Sequence, residues 1–237
     1  MGRKSVPGRV GKKILQRVYD TLLQAFGPRG WWPGETPFEV IIGAVLTQNT
    51  SWQNVEKAIH RLKANNVLKP AVLYKMKDEE LAELIRPSGY YHIKTRRIKN
   101  ILGFLQKEYR GNLNRMFQEE TLILREKLLA IDGIGPETAD SILLYAGEKS
   151  TFVVDAYTRR IFSRHGWVST RDSYEDIKNL FMENLDLDVQ VFNEYHALLV
   201  YLGKELCKKE PRCNECPLNV FFVRGKVKRF KYTRKED

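Results

Sequence analysis

Apolar residues recur at three- and four-residue spacing along most of this chain, which is the periodicity of an amphipathic α-helix. The blocks with this spacing are 14–26, 38–46, 55–62, 93–105, 122–129, 142–146, 157–162, 177–185 and 192–206. Breakers such as Gly27-Pro28 and residues 133–136 separate them. Only Phe152-Val153-Val154 has strand character, and so short a stretch favours a buried loop. The sequence therefore predicts an all-α protein.

The composition is that of a globular protein large enough to bury a core, with 237 residues, 43% hydrophobic and 29% charged. It excludes disordered, collagen-like and coiled-coil chains. No apolar run approaches the roughly 18–20 residues of a membrane helix, and no apolar stretch follows the basic N-terminus, so we expect no secretory signal. Three cysteines are too few for a disulfide framework. We therefore expect a cytoplasmic protein, associated with the nucleoid if prokaryotic.

The net charge is +11, and nearly all of it lies at the two chain ends. Residues 1–13 carry five basic side chains and no acid, and residues 224–237 carry seven basic side chains and two acids. Basic tails on a nearly neutral body are typical of arms that bind a polyanion such as DNA or RNA. Solubility or a contact with acidic lipid would explain the same pattern, so charge alone does not identify the ligand.

Segment 121–146 has the pattern of two helices joined by a tight turn. Gly133-Ile134-Gly135 is the turn, and Pro136 suits the first position of the second helix. The glycines allow a partner to approach the backbone closely, Ile134 is expected to pack between the helices, and the helix start offers N–H groups to a phosphate. With Thr138-Ala139 and apolar residues on both sides, this is the helix-hairpin-helix signature, which contacts the DNA backbone without reading sequence. An ordinary αα-hairpin is the structural alternative.

Asp155 follows three apolar residues and directly precedes a helical block, which is the position of an N-cap. Behind a helix-hairpin-helix, this order resembles the endonuclease III (HhH-GPD) superfamily of base-excision-repair glycosylases, over most of the chain. The resemblance implies two helical domains that flank a DNA-binding cleft. They are a six-helix barrel at 29–143, with the hairpin at 121–146, and a second domain from 1–28 and 144–223 that ends in a cysteine loop, followed by a basic tail at 224–237.

In this family the target nucleotide is flipped out of the duplex, and the residue that matches Asp155 is the essential carboxylate. It stabilises the sugar cation as the base departs, or it activates the attacking water. Gln48 resembles the residue that fills the space left by the flipped base, although it is equally a polar residue at a helix end. Members that also cleave the strand carry a lysine at the position of Glu137, and a carboxylate cannot form a Schiff base. The resemblance therefore implies a monofunctional glycosylase without strong lyase activity.

Four stretches are similar to the 3-methyladenine DNA glycosylase III type, namely Trp31-Trp32-Pro33 with Phe38-Glu39, residues 43–50, residues 86–91, and Gly133-Ile134-Gly135 with Glu137, Ala139, Asp140 and Ile142. In that subfamily a Trp-Trp-Pro wall and another aromatic sandwich the extruded alkylated purine. The resemblance thus assigns Trp31, Trp32, Pro33, Trp52 and Glu137 to the base pocket. An alkylated adenine is cationic, and an indole face attracts a flat cation by about 0.5–2 kcal/mol. Without the resemblance, these tryptophans would be interpreted as core or interface residues.

Cys207, Cys213 and Cys216 stand where many superfamily members bind a [4Fe–4S] cluster through four cysteines. The fourth position falls at Phe222, and the first gap is one residue shorter than in the family. A donor set that lacks a ligand binds poorly, so we expect a metal-free loop and no cofactor. A cluster with a non-cysteine fourth ligand, or zinc bound with His196, are the alternatives.

The leading interpretation is a monofunctional glycosylase that excises an alkylated purine, with 3-methyladenine as the first choice. Its partner would be double-stranded DNA containing a damaged base, bound by a monomer without a membrane contact. A glycosylase with lyase activity towards oxidised pyrimidines or mismatches is the second hypothesis. A non-catalytic binder of damaged DNA is the third.

Overall fold

The computed structural model describes residues 10–221, and within this range the chain forms helices, turns and loops without a β-strand. The helices are α1 (Lys12–Phe26), α2 (Pro37–Leu46), α3 (Trp52–Ala64), α4 (Pro70–Lys75), α5 (Asp78–Ile85), α6 (Tyr91–Tyr109), α7 (Leu113–Gln118), α8 (Thr121–Leu129), α9 (Pro136–Ser141), α10 (Ala156–Arg164), α11 (Tyr174–Asn184) and α12 (Val189–Glu205). A π-helical turn at Ile142–Ala146 continues α9, and 3₁₀ turns lie at Arg86–Ser88, Cys213–Glu215 and Pro217–Phe221. The predicted all-α class is confirmed.

The two basic chain ends, which were predicted to bind a polyanion, lie largely outside the described residues. The basic tail at 224–237 lies outside the described residues, as do residues 1–9 of the N-terminal basic segment. Among residues 10–221, no helix is both long enough and apolar enough to cross a membrane.

The chain divides into two compact units. The central unit is Trp32–Ser150, and the terminal unit combines Met1–Trp31 with Thr151–Asp237. The sequence placed the central domain at 29–143, and a limit there would cut through the π-helical turn. The segment after this turn belongs to the central unit, because the Lys149 backbone N–H donates to the Leu143 carbonyl at 2.9 Å and its Nζ donates to the Glu119 carbonyl at 2.6 Å.

The core of the central unit surrounds α2, in which every residue from Phe38 to Leu46 is buried. A helix that is apolar all round must be covered on every side. Residues of α3, α6, α9 and the π-helical turn supply that cover. Helices α4, α5 and α7, which are six to eight residues long, were not anticipated from the sequence.

The core of the terminal unit is rich in aromatic side chains. Phe152 stacks on Phe181 with ring centroids 3.7 Å apart, and Tyr195 packs edge-on against both rings. The Tyr195 hydroxyl donates to the Leu15 carbonyl at 2.9 Å, which joins α12 to α1. The segment Thr151–Val154 is buried and has no regular secondary structure, as the sequence predicted for Phe152–Val154. A packed segment therefore leads directly into Asp155.

Candidate active site

Asp155 is the N-cap of α10 in the terminal unit. Its Oδ1 accepts a hydrogen bond from the Thr158 backbone N–H at 2.7 Å, so the capping role considered from the sequence is real. Its Oδ2 lies 3.7 Å from Nε2 of His196, and only 12% of the side chain is exposed. One carboxylate oxygen is therefore used by the helix, and the other is directed towards a buried imidazole at the positive end of the α10 dipole.

His196 is the neighbour of Asp155 that sequence reasoning did not foresee. Burial lowers its pKa, and the Asp155 charge raises it to a lesser extent. The ring is therefore neutral near pH 7, in a fully packed stretch of α12. From the sequence, His196 was a candidate only for a zinc ligand, whereas in the structure it lies against Asp155. No local pattern signals this contact, since it joins residues on different helices.

The helix-hairpin-helix of the central unit is built from α8, the turn and α9. Gly133 has φ +88°, a conformation that favours glycine, and Ile134 is buried between the helices at 4% exposure. Gly135 is the N-cap of α9. Arg125 Nε and NH2 donate to the two carboxylate oxygens of buried Asp140 at 2.9 and 3.0 Å, and this bidentate pair holds α8 against α9.

Gln48 lies in the loop after α2 and is bonded to this hairpin. Its Nε2 donates to the Gly133 carbonyl at 3.1 Å and to Thr138 Oγ1 at 2.9 Å, while its Oε1 accepts from Arg97 NH1 at 2.5 Å. Gln48, Gly133 and Thr138, which the sequence assigned separately to DNA binding, thus form one network. Arg97 is an addition that no sequence motif indicated.

A second polar anchor fixes the start of the same loop. Lys94 is buried in α6, and its Nζ donates to the carbonyls of Leu46 at 2.8 Å and Ser88 at 2.6 Å. Burial, assisted by the charge of Arg97, lowers the pKa of Lys94 to about 8. The turn after Ser88 leads to Tyr90, which is 67% exposed with φ +46°. Lys94 therefore ties the Gln48 loop to the turn that presents an exposed aromatic side chain.

A cavity of about 370 Å³ opens in the central unit beside the tryptophans that the sequence assigned to the base pocket. It is lined by Trp32, Pro33, Glu35, Glu39, Gly43, Trp52, Glu56, Ile59, His60 and Lys63. Trp32 meets Trp52 edge-to-face, with centroids 5.2 Å apart at 89°. Because the two rings touch, a base has no room to stack between them and would have to stack against an outer face of the pair.

Carboxylates dominate the charge of this cavity. Trp52 Nε1 donates to Glu56 Oε1 at 2.7 Å, and Lys63 Nζ pairs with Glu35 at 2.9 Å and with buried Glu39 at 2.8 Å. The lining of the cavity thus contains three acidic side chains and one lysine. Of these three acidic residues, only Glu39 lies in a stretch similar to the 3-methyladenine DNA glycosylase III type, and it was not predicted to line the pocket.

The other two predicted pocket residues do not line this cavity. Trp31 belongs to the terminal unit, where the Lys204 ammonium lies 5.6 Å from its ring centroid. Glu137 is exposed in the first turn of α9. Their assignment to the base pocket stays a prediction from the resemblance.

The cysteine loop is organised by an arginine. Arg164 NH1 donates to Cys207 Sγ at 3.2 Å and to the Lys208 carbonyl at 2.6 Å, and its NH2 donates to the Lys209 carbonyl at 2.9 Å. Burial raises the pKa of the Cys216 thiol to about 11. Within residues 10–221, no three His, Cys, Asp or Glu side chains come together as metal ligands. Four cysteines are the usual ligand set of a [4Fe–4S] cluster, and this chain supplies three, while His196 lies against Asp155.

The sequence matches a known protein family and is similar to known proteins over most of its length. A family model described as HhH-GPD superfamily base excision DNA repair protein matches residues 42–186. A protein of Methanocaldococcus jannaschii with the provisional name DNA repair glycosylase MJ1434 is 46% identical over 88% of this chain and 96% of its own length. The endonuclease III of Thermotoga maritima is 34% identical over 76% of this chain and 79% of its own length.

The fold is similar to that of a solved DNA glycosylase structure. The H. pylori 3-methyladenine DNA glycosylase MagIII, bound to 1,N6-ethenoadenine, superposes with a TM-score of 0.71 at 29% identity. The superposition covers 82% of this chain and 97% of that protein. The chain is thus similar both to a 3-methyladenine DNA glycosylase and to endonuclease III.

Proposed function

The chain belongs to the HhH-GPD superfamily of base-excision DNA repair proteins, and on this premise we propose that it is a monofunctional DNA glycosylase for alkylated purines. It hydrolyses the N-glycosidic bond of a flipped-out base in double-stranded DNA, with 3-methyladenine as the first candidate. The observation that carries this choice is the acidic cavity beside Trp32 and Trp52. The H. pylori relative, whose name specifies 3-methyladenine, supports the same substrate class.

The cavity suits a base that is flat and positively charged. Indole faces attract flat cations, and the attraction grows when water is excluded. The three carboxylates of Glu35, Glu39 and Glu56 outweigh the single charge of Lys63, so a cationic base gains electrostatic stabilisation there. A neutral, undamaged purine lacks this gain, and we therefore expect the pocket to favour alkylated bases over normal ones.

Asp155 is the proposed catalytic carboxylate. As the base departs, the sugar develops positive charge, which Oδ2 of Asp155 stabilises, or that oxygen takes a proton from the attacking water. The hydrogen bond from Thr158 N–H holds the other oxygen, so the carboxylate is oriented before substrate binds. Neutral His196 fills the space behind it without adding a competing positive charge.

The lysines nearest to the hairpin in sequence support hydrolysis rather than strand cleavage. Glu137 occupies the position where the family's lyases carry their lysine. Lys127 Nζ is paired with Glu119 Oε1 at 2.5 Å, and Lys149 Nζ donates to the Glu119 carbonyl at 2.6 Å. Lys94 has the lowered pKa of a Schiff-base nucleophile, but its ammonium is buried against two carbonyls. None of these amines is presented for attack on a sugar.

The test is base release from methylated duplex DNA by the purified protein, with strand nicking and borohydride trapping measured on the same substrate. We expect free 3-methyladenine, intact strands and no covalent adduct. A trapped adduct with strand cleavage would instead establish the lyase, which the similarity to T. maritima endonuclease III favours. Tight binding of lesion DNA without base release, even at high enzyme concentration, would establish a non-catalytic binder.

A further inference from the structure

The amide of Gln48 is held in one orientation by its surroundings. A glutamine amide has two N–H donors and one acceptor oxygen. Both donors of Gln48 are used, one by the Gly133 carbonyl and one by Thr138 Oγ1. The oxygen faces the Arg97 guanidinium, and a reversed amide would set its NH₂ group against that cation. Arg97 therefore determines which end of the amide faces the hairpin.

Arg97 also packs on the hairpin turn itself. A Cβ added to Gly133 would overlap Cγ of Arg97, so the aliphatic part of the arginine lies directly over this glycine. One turn earlier on α6, Lys94 holds the carbonyl at the end of α2. Lys94 thus restrains the start of the loop that contains Gln48, and Arg97 restrains the side chain of Gln48. Charge-assisted hydrogen bonds of this kind are the strong ones.

We propose that Arg97 is a positioning residue that locks Gln48 onto the hairpin turn, so that the residue filling the duplex and the element gripping the backbone engage DNA as one rigid unit. The proposal rests on the proposed function and on the role that the family resemblance implies for Gln48, which is to fill the space that the flipped base vacates. Preorganisation of this kind lowers the cost of ordering a side chain on binding. Without Arg97, Gln48 must be ordered at the moment the base leaves the stack.

The experiment compares Arg97→Met, which keeps an aliphatic chain but removes the donors, with Arg97→Lys, which keeps the charge. Lys107→Met, an exposed charge removal on the same helix, is the matched control. Base release is measured on duplex and on single-stranded methylated DNA, because a single strand has no vacated space to fill. The fluorescence of 2-aminopurine opposite a tetrahydrofuran abasic analogue reports filling of that space without any excision.

We expect Arg97→Met to lower the duplex-to-single-strand ratio of rates about tenfold or more, the equivalent of one charge-assisted hydrogen bond. It should reduce the 2-aminopurine response, while Arg97→Lys recovers part of both and Lys107→Met changes neither. The salt dependence of binding should stay as in the unmodified protein. A salt slope that falls by about one would identify a phosphate contact instead and overturn the proposal.

Other outcomes separate this proposal from the proposed function. Equal losses on duplex and single strand, at an unchanged unfolding temperature, would overturn the role of Arg97 while leaving glycosylase activity in place. A second outcome is that the protein releases no base and still gives a 2-aminopurine response that depends on Arg97. That result would support the positioning role of Arg97 and overturn the proposed glycosylase activity. An unmodified protein that gives no response on the abasic duplex would overturn the positioning role.

Discussion

At the residue scale, Asp155 combines a structural role, the N-cap of α10, with the catalytic role that we propose for it. The α10 N-cap uses Oδ1, and Oδ2 is left near His196 at 3.7 Å. The capping bond fixes the side-chain rotamer, so the same contact that starts the helix also orients the carboxylate for chemistry. Substitutions that preserve the cap but remove the charge separate the two roles.

We predict that Asp155→Asn slows base release at least about 100-fold, as expected when an electrostatic contact to the transition state is lost. An asparagine oxygen still caps α10, so the unfolding temperature and the affinity for abasic DNA should be largely retained. The measurement is single-turnover base release together with binding to an abasic duplex. Asp188→Asn is the control, since Asp188 caps α12 through Gln190 and Val191 backbone N–H groups. Release by Asp155→Asn at the unmodified rate would refute the mechanism.

At the element scale, two arginines of α10 form hydrogen bonds to the cysteine loop. Arg164 at the end of α10 bonds a thiol and two backbone carbonyls of the loop. Arg160, one turn earlier, donates to the carbonyls of Cys207 at 2.8 Å and Gly203 at 3.0 Å. Two arginines of one helix thus donate to carbonyls at the end of α12 and in the loop that follows it.

We predict that Arg164→Met lowers the free energy of unfolding by about 1–3 kcal/mol, because a set of hydrogen bonds from a charged group is lost. It should also speed tryptic cleavage after Lys208 and Lys209, whose carbonyls it releases. Denaturant unfolding and limited proteolysis measure the two effects, with exposed Arg171→Met as control. Equal cleavage rates in both variants would contradict a loop held by Arg164. Stoichiometric iron and sulfide in the purified protein would show that a cluster holds it.

At the scale of the whole molecule, buried His196 and partly buried His165 link stability to pH. Burial lowers the pKa of His165 to about 4, in a site where its ring stacks on Trp167 at 4.3 Å. Burial also lowers the pKa of His196. In the unfolded chain both take up a proton near pH 6.5. Below that pH the unfolded state binds more protons than the folded state, so the folded state loses stability as the pH falls.

We predict that the free energy of unfolding falls by about 2 kcal/mol between about pH 7.5 and pH 5 through His165 alone. His165→Asn should remove this part of the pH dependence, whatever its effect on stability at neutral pH. Urea unfolding at several pH values provides the measurement, and exposed His92→Asn serves as control. If His165→Asn retained the full pH dependence, the loss of stability in acid would have to arise at other groups.

Much of the fold and part of the site could be predicted from the sequence. The all-α class follows from helical periodicity over long blocks, and the hairpin follows from the glycines and Pro136 between two of them. Helices α4, α5 and α7 were missed because short helices owe their stability to tertiary packing rather than to a local pattern. The placement of His196 against Asp155 was also missed, since nothing near either residue refers to the other.

The sequence by itself determined where long helices begin and where the hairpin turns, because capping, glycine conformation and helical period act between near neighbours. Asp155 before α10 and Gly133 in the hairpin are of this kind. Only the tertiary structure decided that Arg97 donates to Gln48 and that three carboxylates line the cavity beside Trp32 and Trp52. Such contacts join segments far apart in the chain, and their geometry exists only once the core has packed.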